Sequence, residues 1–418
     1  MQTKFLKKLL SIENSWDNVR HICWTVINHE TGSAQTFNNK LEAVFAQRVL
    51  PHATIYFNWY EQLFNQFEFQ IEPIESYSEL LRQRAQELRD RYGYIRLWFS
   101  GGSDSTSALN AFIDNDIHLD EIIVYLWNDH EHHDPLQSGS RELVLSAIPY
   151  LESVQHKLIG TKITKIILNY EDYLKTISGP DRVGEIPYLH SMDRGSHLFG
   201  LSCVQYAWEK VLENTTHDNY CDLFGGTKPV ISRKGDNYYF YLIDTTLQDQ
   251  IFSKRAEDFF ISSQNPKLFF KTVHMLKNYV KSKNWSNKQI QKLISNISMS
   301  QMYNAAIGRA PIMHPIALYK IDRGMSGFYS PELDFSISNY KHFCIVKNLS
   351  VDEKWLKLFK AHIENYNVMR SYYDFLWNTD DKNRPDPNLG YKGHISKLYN
   401  LSQKTIHDNT EIYPNGFF

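Results

Sequence analysis

The stretch around residue 100 joins a short apolar strand, a glycine-rich turn and the start of a helix. The apolar residues lie at 95–99, and the helical pattern runs over 105–115. Two adjacent glycines let a backbone approach an anion closely, and the first N–H groups of a helix point at that anion with the help of the helix dipole. This arrangement predicts a phosphate-binding corner. The turn consists of Ser100, Gly101, Gly102, Ser103, Asp104 and Ser105.

Strands and helices alternate along the chain from the start of this strand to about residue 226. The apolar run 122–126 shows no polar alternation, which is typical of a strand covered on both faces. Alternation at this spacing predicts an α/β fold with a doubly wound parallel sheet. The predicted strands are 95–99, 121–127, 162–168 and 220–224, and the predicted helices are 105–115, 141–156 and 196–213.

The flanking parts of the chain lack this alternation. The clearest element before the sheet is an amphipathic helix over 77–91. Beyond the sheet, the sequence predicts a β-hairpin that turns at 234–237, then mainly helices, and an irregular tail from 378. The predicted C-terminal helices are 266–283, 287–297 and 351–377.

We therefore predict three parts. Residues 1–92 form an N-terminal accessory region, residues 93–229 form the α/β domain, and residues 230–418 form a hairpin plus a mainly helical C-terminal domain.

Composition excludes several classes of protein. The formal net charge of -2 creates no global positive field for nucleic acid. No apolar stretch approaches the roughly 20 residues of a membrane span, and no signal peptide is recognisable. Widely separated cysteines without a CxxC pair argue against a disulfide framework and a cysteine-based zinc site. We expect a cytosolic protein. The cysteines are Cys23, Cys203, Cys221 and Cys344.

The turn at 100–105 differs from a Walker loop, since no Lys-Ser or Lys-Thr closes it. It resembles the PP-loop ATP pyrophosphatase family, whose fingerprint is SGGxDS and which includes asparagine synthetase. The resemblance implies a HUP-type (PP-loop) sheet, ATP and Mg²⁺ as ligands, and a pyrophosphate site made by the turn. It implies that Asp104 orients the loop or helps to hold Mg²⁺. A turn without any ligand is the alternative.

A second glycine-containing segment follows the predicted strand 220–224. It resembles the later motif of the same family, in which a lysine neutralises the departing pyrophosphate. The resemblance implies that Lys228 supplies electrostatic stabilisation there, whereas a plain surface turn is the alternative. The residues concerned are Gly225, Gly226, Thr227 and Lys228.

Further candidates surround this corner. In the family, the adenine and ribose lie over the end of the second strand, here Trp127 and Asn128, and are read mostly by backbone groups. The loop 130–134 contains three histidines and could hold a metal ion, although a solvated polar loop is the alternative. Candidates for a substrate or phosphate clamp, each of which could equally form a surface ion pair, are Asp181, Arg182, Arg194, Arg309 and His314.

Several branches of the family are disfavoured, because sulfur transfer needs cysteine pairs and an N-terminal glutaminase needs a cysteine at position 2, where Gln2 stands. A sulfonucleotide-reductase-like protein is therefore a weaker alternative. Over the whole chain, the pattern resembles asparagine-synthetase-like PP-loop proteins of large tailed phages, which would place it in the host cytoplasm. The resembling stretches are 57–60, 81–89, the turn at 100–105 and 224–229.

Three hypotheses follow. The first is an AMP-forming ligase that adenylates a carboxylate or carbonyl oxygen for attack by an amine or ammonia. The second is a phage-type enzyme that modifies a nucleotide or a nucleic-acid base by the same activation. The third is a non-catalytic nucleotide-binding protein. A basic stripe would favour the second, and its candidate members are Lys271, Lys277, Lys281, Lys283, Lys288 and Lys292.

Overall fold

The structure is a computed structural model of the chain. It describes residues 22–37, 46, 50, 52–128, 131, 140, 143–169, 211, 216–225, 229–242, 256–262, 264–294, 396–407 and 412.

The N-terminal region contains a small antiparallel sheet that the sequence analysis did not predict. Its strand order is β2-β1-β3, with β1 at the centre. A short helix and the predicted amphipathic helix follow. The elements are β1 (Ile22–Asn28), β2 (Ala34–Phe37), β3 (Ala53–Trp59), α1 (Glu61–Asn65) and α2 (Tyr77–Arg91).

Helix α2 begins at a capping residue, Ser76, whose hydroxyl accepts a hydrogen bond from the Glu79 N–H at 3.1 Å. Its apolar side, formed by Leu80, Ala85 and Leu88, lies in the same buried cluster as the central strands of the parallel sheet. The helix therefore packs on the α/β core, although the predicted boundary at residue 92 assigns it to the accessory region.

The predicted α/β alternation is present in the next part of the chain. All four predicted strands are found, and each pairs in parallel with its neighbours. The predicted helix 105–115 begins two residues earlier, directly after the glycines. The elements are β4 (Tyr94–Trp98), α3 (Ser103–Ile113), β5 (Glu121–Trp127), α4 (Ile148–Ser153), β6 (Lys162–Leu168) and β7 (Tyr220–Phe224).

The predicted helix 141–156 is broken into pieces. A π-helical turn occupies Leu143–Ala147, α4 follows it, and a 3₁₀ turn covers Gln155–Lys157. Pro149 stands at the start of α4. Because proline has no N–H to bond the preceding turn, a continuous α-helix through this position is disfavoured. The predicted helix 196–213 lies outside the described residues apart from Val211.

The C-terminal region contributes one strand to the parallel sheet. Strand β10, which comprises Ala256–Asp258, pairs in parallel with β7, which makes a five-stranded sheet of order β10-β7-β4-β5-β6. The parallel sheet thus extends beyond the predicted limits 93–229. The elements are β8 (Val230–Lys234), β9 (Asn237–Tyr241), β10 (Ala256–Asp258), α5 (Lys267–Ser282), α6 (Asn287–Ile294), β11 (Leu398–Asn400) and β12 (Ile406–His407).

The predicted hairpin is confirmed as β8 and β9, which are joined at Gly235. One expectation about the C-terminal region needs correction. The tail from 378 is not wholly irregular, since β11 pairs with β9. Within the described residues, a four-stranded antiparallel sheet of order β12-β11-β9-β8 accompanies the two helices. The predicted helix 351–377 lies outside the described part of the chain.

Aromatic rings join the N-terminal region to the small C-terminal sheet. The ring of Phe64, on α1, has its centroid 5.3 Å from each of three rings on α5 and β11. Phe240 stacks on Tyr399 at 4.7 Å across β9 and β11. Such offset and edge-to-face contacts stabilise a core beyond the burial of area alone. The three partners of Phe64 are Phe269, Phe270 and Tyr399.

A buried charge network fastens α2 to β10. The Arg84 guanidinium is 2% exposed and contacts Glu257 at 3.1 Å and Glu87 at 2.9 Å. Arg91 bonds the same two carboxylates, at 2.8 and 2.6 Å. Burial raises the pKa of Glu257, but the neighbouring arginines and Tyr92 outweigh burial and lower it overall. Two positive and two negative groups therefore neutralise one another in this network.

His274 makes folding sensitive to mild acid. Its ring is 3% exposed, and Nε2–H donates to the Phe69 carbonyl at 2.9 Å. Burial, together with the charges of Lys277 and Lys271, lowers its pKa below the ordinary 6.5, against the opposing effects of the Phe69 carbonyl and Glu72. Below pH 6.5 the unfolded chain therefore binds a proton that the folded chain does not.

We expect the free energy of unfolding to fall as the pH drops below about 6.5 and until it reaches the lowered pKa of folded His274, by up to about 1.4 kcal/mol per pH unit from this group. In His274→Gln that part of the slope should vanish, whereas the exposed-site control His156→Gln should retain it. Urea unfolding at several pH values measures the slope. An identical slope in all three proteins would contradict the assignment.

Candidate functional site

The glycine turn lies at the carboxyl edge of the parallel sheet, where the chain changes direction. From β4 the chain moves to β5 and β6 on one side, while β7 and β10 lie on the other side. The Phe99 N–H continues the ladder by donating to the Ile123 carbonyl at 2.9 Å. In open α/β sheets, ligands bind at such a switch point, outside the carboxyl ends of the strands. The fold thus places the predicted corner where such sheets bind ligands.

The turn holds a conformation that favours glycine. Gly101 has φ +73°, in the left-handed region, and Gly102 is the N-cap of α3 with φ −73° and ψ 165°. The Gly102 N–H donates to the Ser100 hydroxyl at 3.3 Å, and the Ser105 hydroxyl donates to the Gly102 carbonyl at 3.2 Å. The hydroxyl groups of Ser100 and Ser105 therefore stabilise the turn itself. Ser103 opens the helix.

The π-helical turn Leu143–Ala147 packs closely against Gly101. A Cβ on Gly101 would stand 2.5 Å from the Ala147 nitrogen and 2.7 Å from its Cα. The Ser146 hydroxyl donates to the Gly101 carbonyl at 2.6 Å. This contact could not be predicted from the sequence, because the two segments are 45 residues apart and the helical pattern over 141–156 gives no sign of a π turn.

Replacing Gly101 should damage the fold more than replacing another left-handed glycine. Gly235 has φ +60° with nothing within 4 Å of an added Cβ, so Gly235→Ala carries backbone strain alone, about 1–2 kcal/mol. Gly101→Ala adds a collision with the backbone and should cost about 2–5 kcal/mol. Chemical denaturation of both variants compares the losses. Equal losses would show that the close packing on Ala147 is absent.

The two predicted glycine segments meet in the structure. Gly225 follows β7, and a Cβ placed on it would lie 3.4 Å from the carbonyl carbon of Asp104 and 3.3 Å from the Phe260 ring. The first turn of α3 therefore lies directly against the end of β7. Gly226, Thr227 and Lys228 lie outside the described residues, so their predicted roles remain predictions.

The end of β5 lies at the same edge as the turn. Trp127 is buried, and its N–H donates to the Ser140 hydroxyl at 2.5 Å. The Asn128 N–H donates to the Leu168 carbonyl at 2.8 Å. Since both N–H groups are engaged within the protein, a base bound here would be read by carbonyl groups or by side chains. The exposed Asn128 side chain is suited to that role.

A buried ion pair joins β4 to β7 beneath the two glycine segments. Arg96 donates from Nε and Nη2 to the two carboxylate oxygens of Asp222 at 2.9 and 2.8 Å, and the Trp98 indole N–H donates to the same carboxylate at 3.0 Å. The Tyr220 ring lies 4.5 Å from the Arg96 guanidinium carbon. The side chains of Arg96 and Asp222 are 2% and 0% exposed. This pair fixes the two strands in register.

Removing the carboxylate should leave the buried Arg96 guanidinium without its counter-ion. We expect Asp222→Asn to lower the free energy of unfolding by about 3–5 kcal/mol, as breaking a buried ion pair does. Asp114 also forms an ion pair, with Lys157 at 2.8 Å, but is half exposed. The matched control Asp114→Asn should therefore change stability by about 1 kcal/mol or less. A small loss in Asp222→Asn would refute the pairing.

A second polar cluster lies on the same face of the sheet as Arg96 and Asp222, at the amino ends of the strands. Glu121 bonds Lys162 at 2.9 Å, as well as Thr164 and Tyr94. Burial raises the pKa of Glu121, but its hydrogen bonds outweigh burial and lower it overall. Burial beside this carboxylate raises the pKa of Tyr94 to about 12. The cluster is internally paired and distant from the glycine turn, so we assign it a structural role.

Several predicted residues lie where the structure gives no description. These are the histidine loop 130–134 except Glu131, and the clamp candidates Asp181, Arg182, Arg194, Arg309 and His314. Within the described residues, no three His, Cys, Asp or Glu side chains come together as a metal-binding group. Nor does any described helix have the length and apolar character needed to cross a bilayer.

Comparisons of the chain with known protein families, with curated proteins and with solved structures give no match.

Proposed function

We propose that this protein is an adenylating enzyme of the PP-loop type. It would cleave ATP to AMP and pyrophosphate in order to activate a carboxylate or carbonyl oxygen of an acceptor. One observation carries this proposal: the glycine turn at the head of α3 meets Gly225 at the switch point of a parallel sheet. Two glycine segments from neighbouring strands thus border the place where such sheets bind ligands.

The described residues suit a triphosphate. Gly101 lets the turn pack closely on Ala147, and Gly225 lets the end of β7 pack against Asp104, so that the start of α3 is held at the edge of the sheet. The first N–H groups of α3 have no carbonyl partners within their own helix, and the helix dipole favours an anion there. Asp104, in the first turn, supplies a carboxylate. Mg²⁺ commonly binds one or two carboxylates together with substrate phosphates, so a single acidic residue fits the proposed metal.

The proposed reaction has two steps. An acceptor oxygen attacks the α-phosphorus, the bond from that phosphorus to the bridging oxygen breaks, and pyrophosphate leaves with the electron pair. An amine or ammonia then attacks the activated carbon, the bond from that carbon to the AMP oxygen breaks, AMP leaves with the electron pair, and the attacking nitrogen loses a proton to solvent. The turn and Lys228 stabilise the charge that develops on the pyrophosphate in the first step. The rest of the rate enhancement comes from holding the acceptor beside the α-phosphate.

The alternative of a nucleic-acid acceptor has less support. The stripe proposed for it is shorter than predicted, because Lys271 bonds Glu72 at 2.8 Å and the Pro73 carbonyl at 3.0 Å. Burial lowers the pKa of Lys277, which is directed to the Leu401 carbonyl. The exposed lysines all follow these two in the chain. We therefore propose a small-molecule acceptor. The exposed members are Lys281, Lys283 and Lys288.

Turnover of ATP with Mg²⁺ should release AMP and pyrophosphate in equal amounts, and only when an acceptor is supplied from a panel of carboxylate and amine metabolites. Asp104→Ala and Lys228→Ala should each reduce the rate by about 10²–10³, the usual effect of removing one electrostatic group from an active site. Chromatographic separation of the nucleotides, together with a pyrophosphate assay, measures both products.

Two controls match the charges removed. Asp114→Ala changes a carboxylate just past the other end of α3, and Lys283→Ala changes an exposed lysine after α5. Both should retain the wild-type rate. ADP as the sole product, or full activity in both Asp104→Ala and Lys228→Ala, would refute the proposed function. ATP binding in calorimetry without turnover of any acceptor would favour the non-catalytic alternative.

A further inference from the structure

The π-helical turn beneath the glycine turn sets the direction of one peptide group. Ser146 is 7% exposed, and its hydroxyl donates to the Gly101 carbonyl at 2.6 Å. The backbone of the next residue, Ala147, is packed against Gly101. Single π-helical turns of this kind occur frequently at functional sites. Pro149, which follows it, favours this local break in the helix.

The fixed carbonyl determines where the next N–H points. The described chain contains no cis peptide bond, and in a trans peptide the C=O and N–H point to opposite sides. Because the Gly101 carbonyl is directed at Ser146, the Gly102 N–H points away from Ser146. On that side it makes a long hydrogen bond, 3.3 Å, to the Ser100 hydroxyl. A rotated peptide would instead present the partial negative charge of the carbonyl oxygen.

We propose that Ser146 is a positioning residue for phosphate binding. Its hydroxyl holds the Gly101–Gly102 peptide so that an N–H, and not a carbonyl oxygen, faces the pyrophosphate part of bound ATP. Ser146 acts through Gly101 and does not itself touch the ligand. This inference rests on the proposed function and extends it by one residue, which lies 45 positions from the turn in the sequence.

The test compares two ligands that share the nucleotide site but differ in their use of the turn. Calorimetry with Mg²⁺ measures binding of pyrophosphate alone and of AMP alone. Ser146→Ala should bind pyrophosphate about tenfold more weakly, because the loss of one buried hydrogen bond of this size corresponds to roughly that factor. AMP affinity should stay within about twofold, since AMP lacks the β- and γ-phosphates that the turn is proposed to hold.

Ser153→Ala is the matched control, because its hydroxyl also donates to a backbone carbonyl, that of Tyr150, but at the exposed end of α4. It should bind both ligands as the wild type does. Ser146→Cys, which keeps a weaker donor of similar shape, provides a second variant should Ser146→Ala fold poorly. Its pyrophosphate affinity should lie between those of the wild type and Ser146→Ala.

The outcomes separate this inference from the proposed function. Wild-type protein that binds neither ATP nor pyrophosphate refutes the proposed function, and the positioning role falls with it. Wild-type protein that binds pyrophosphate while Ser146→Ala and Ser146→Cys bind it equally well refutes the positioning role alone. Equal weakening of pyrophosphate and AMP binding in the variants shows a general structural role and also overturns the inference.

Discussion

The ion pair between Arg96 and Asp222 determines the geometry of the candidate site. It joins two adjacent parallel strands whose paired residues are 126 positions apart, so no short connection sets their register. A slip by one residue would move Gly225 by about 3.3 Å along the strand and would turn Asp222 to the opposite face. Such a slip would also separate Gly225 from Asp104. A buried ion pair is weak evidence for stability, since apolar residues often replace it without loss. Its value here lies in fixing one alignment of two glycine segments.

Local patterns in the sequence predicted the parts of the sheet that are locally determined. Strand β5 occupies the predicted residues Glu121–Trp127, and the turn follows β4 as expected, because a buried strand needs a continuous apolar run and a glycine turn marks its end. Two charged residues in the sequence also indicate which strands are neighbours, although the sequence analysis did not use them. Arg96 and Asp222 stand inside strands that are otherwise apolar, and charges buried in such strands are usually paired. Because a positive charge lies at the centre of one strand and a negative charge at the centre of the other, the sequence suggests that the two strands are neighbours.

The remaining elements depend on contacts between distant parts of the chain. Strands β10, β11 and β12 have three, three and two residues, which is too short for a period of two to be recognised. Each exists because a neighbouring strand already presents unpaired backbone groups. The same reason hides Ser146, since a serine in a helical pattern looks like a solvated position. The π turn that precedes Pro149 brings Ser146 to the Gly101 carbonyl. The effect of Pro149 on this turn depends on tertiary packing.

Few charged groups lie in the described part of this corner. The residues that hold its peptide groups in place are therefore important for anion binding. Within the described part of the site, the donors are backbone N–H groups and serine hydroxyls, and the chain as a whole carries a net charge of -2. At the described residues, attraction for an anion therefore depends on the direction of backbone dipoles. A dipole is effective only while its orientation is held, and water-exposed peptides rotate. Ala147 and Ser146 hold the turn, and Gly225 packs against the first turn of its helix at Asp104. Residues that never touch a ligand can therefore control its affinity as strongly as those that do.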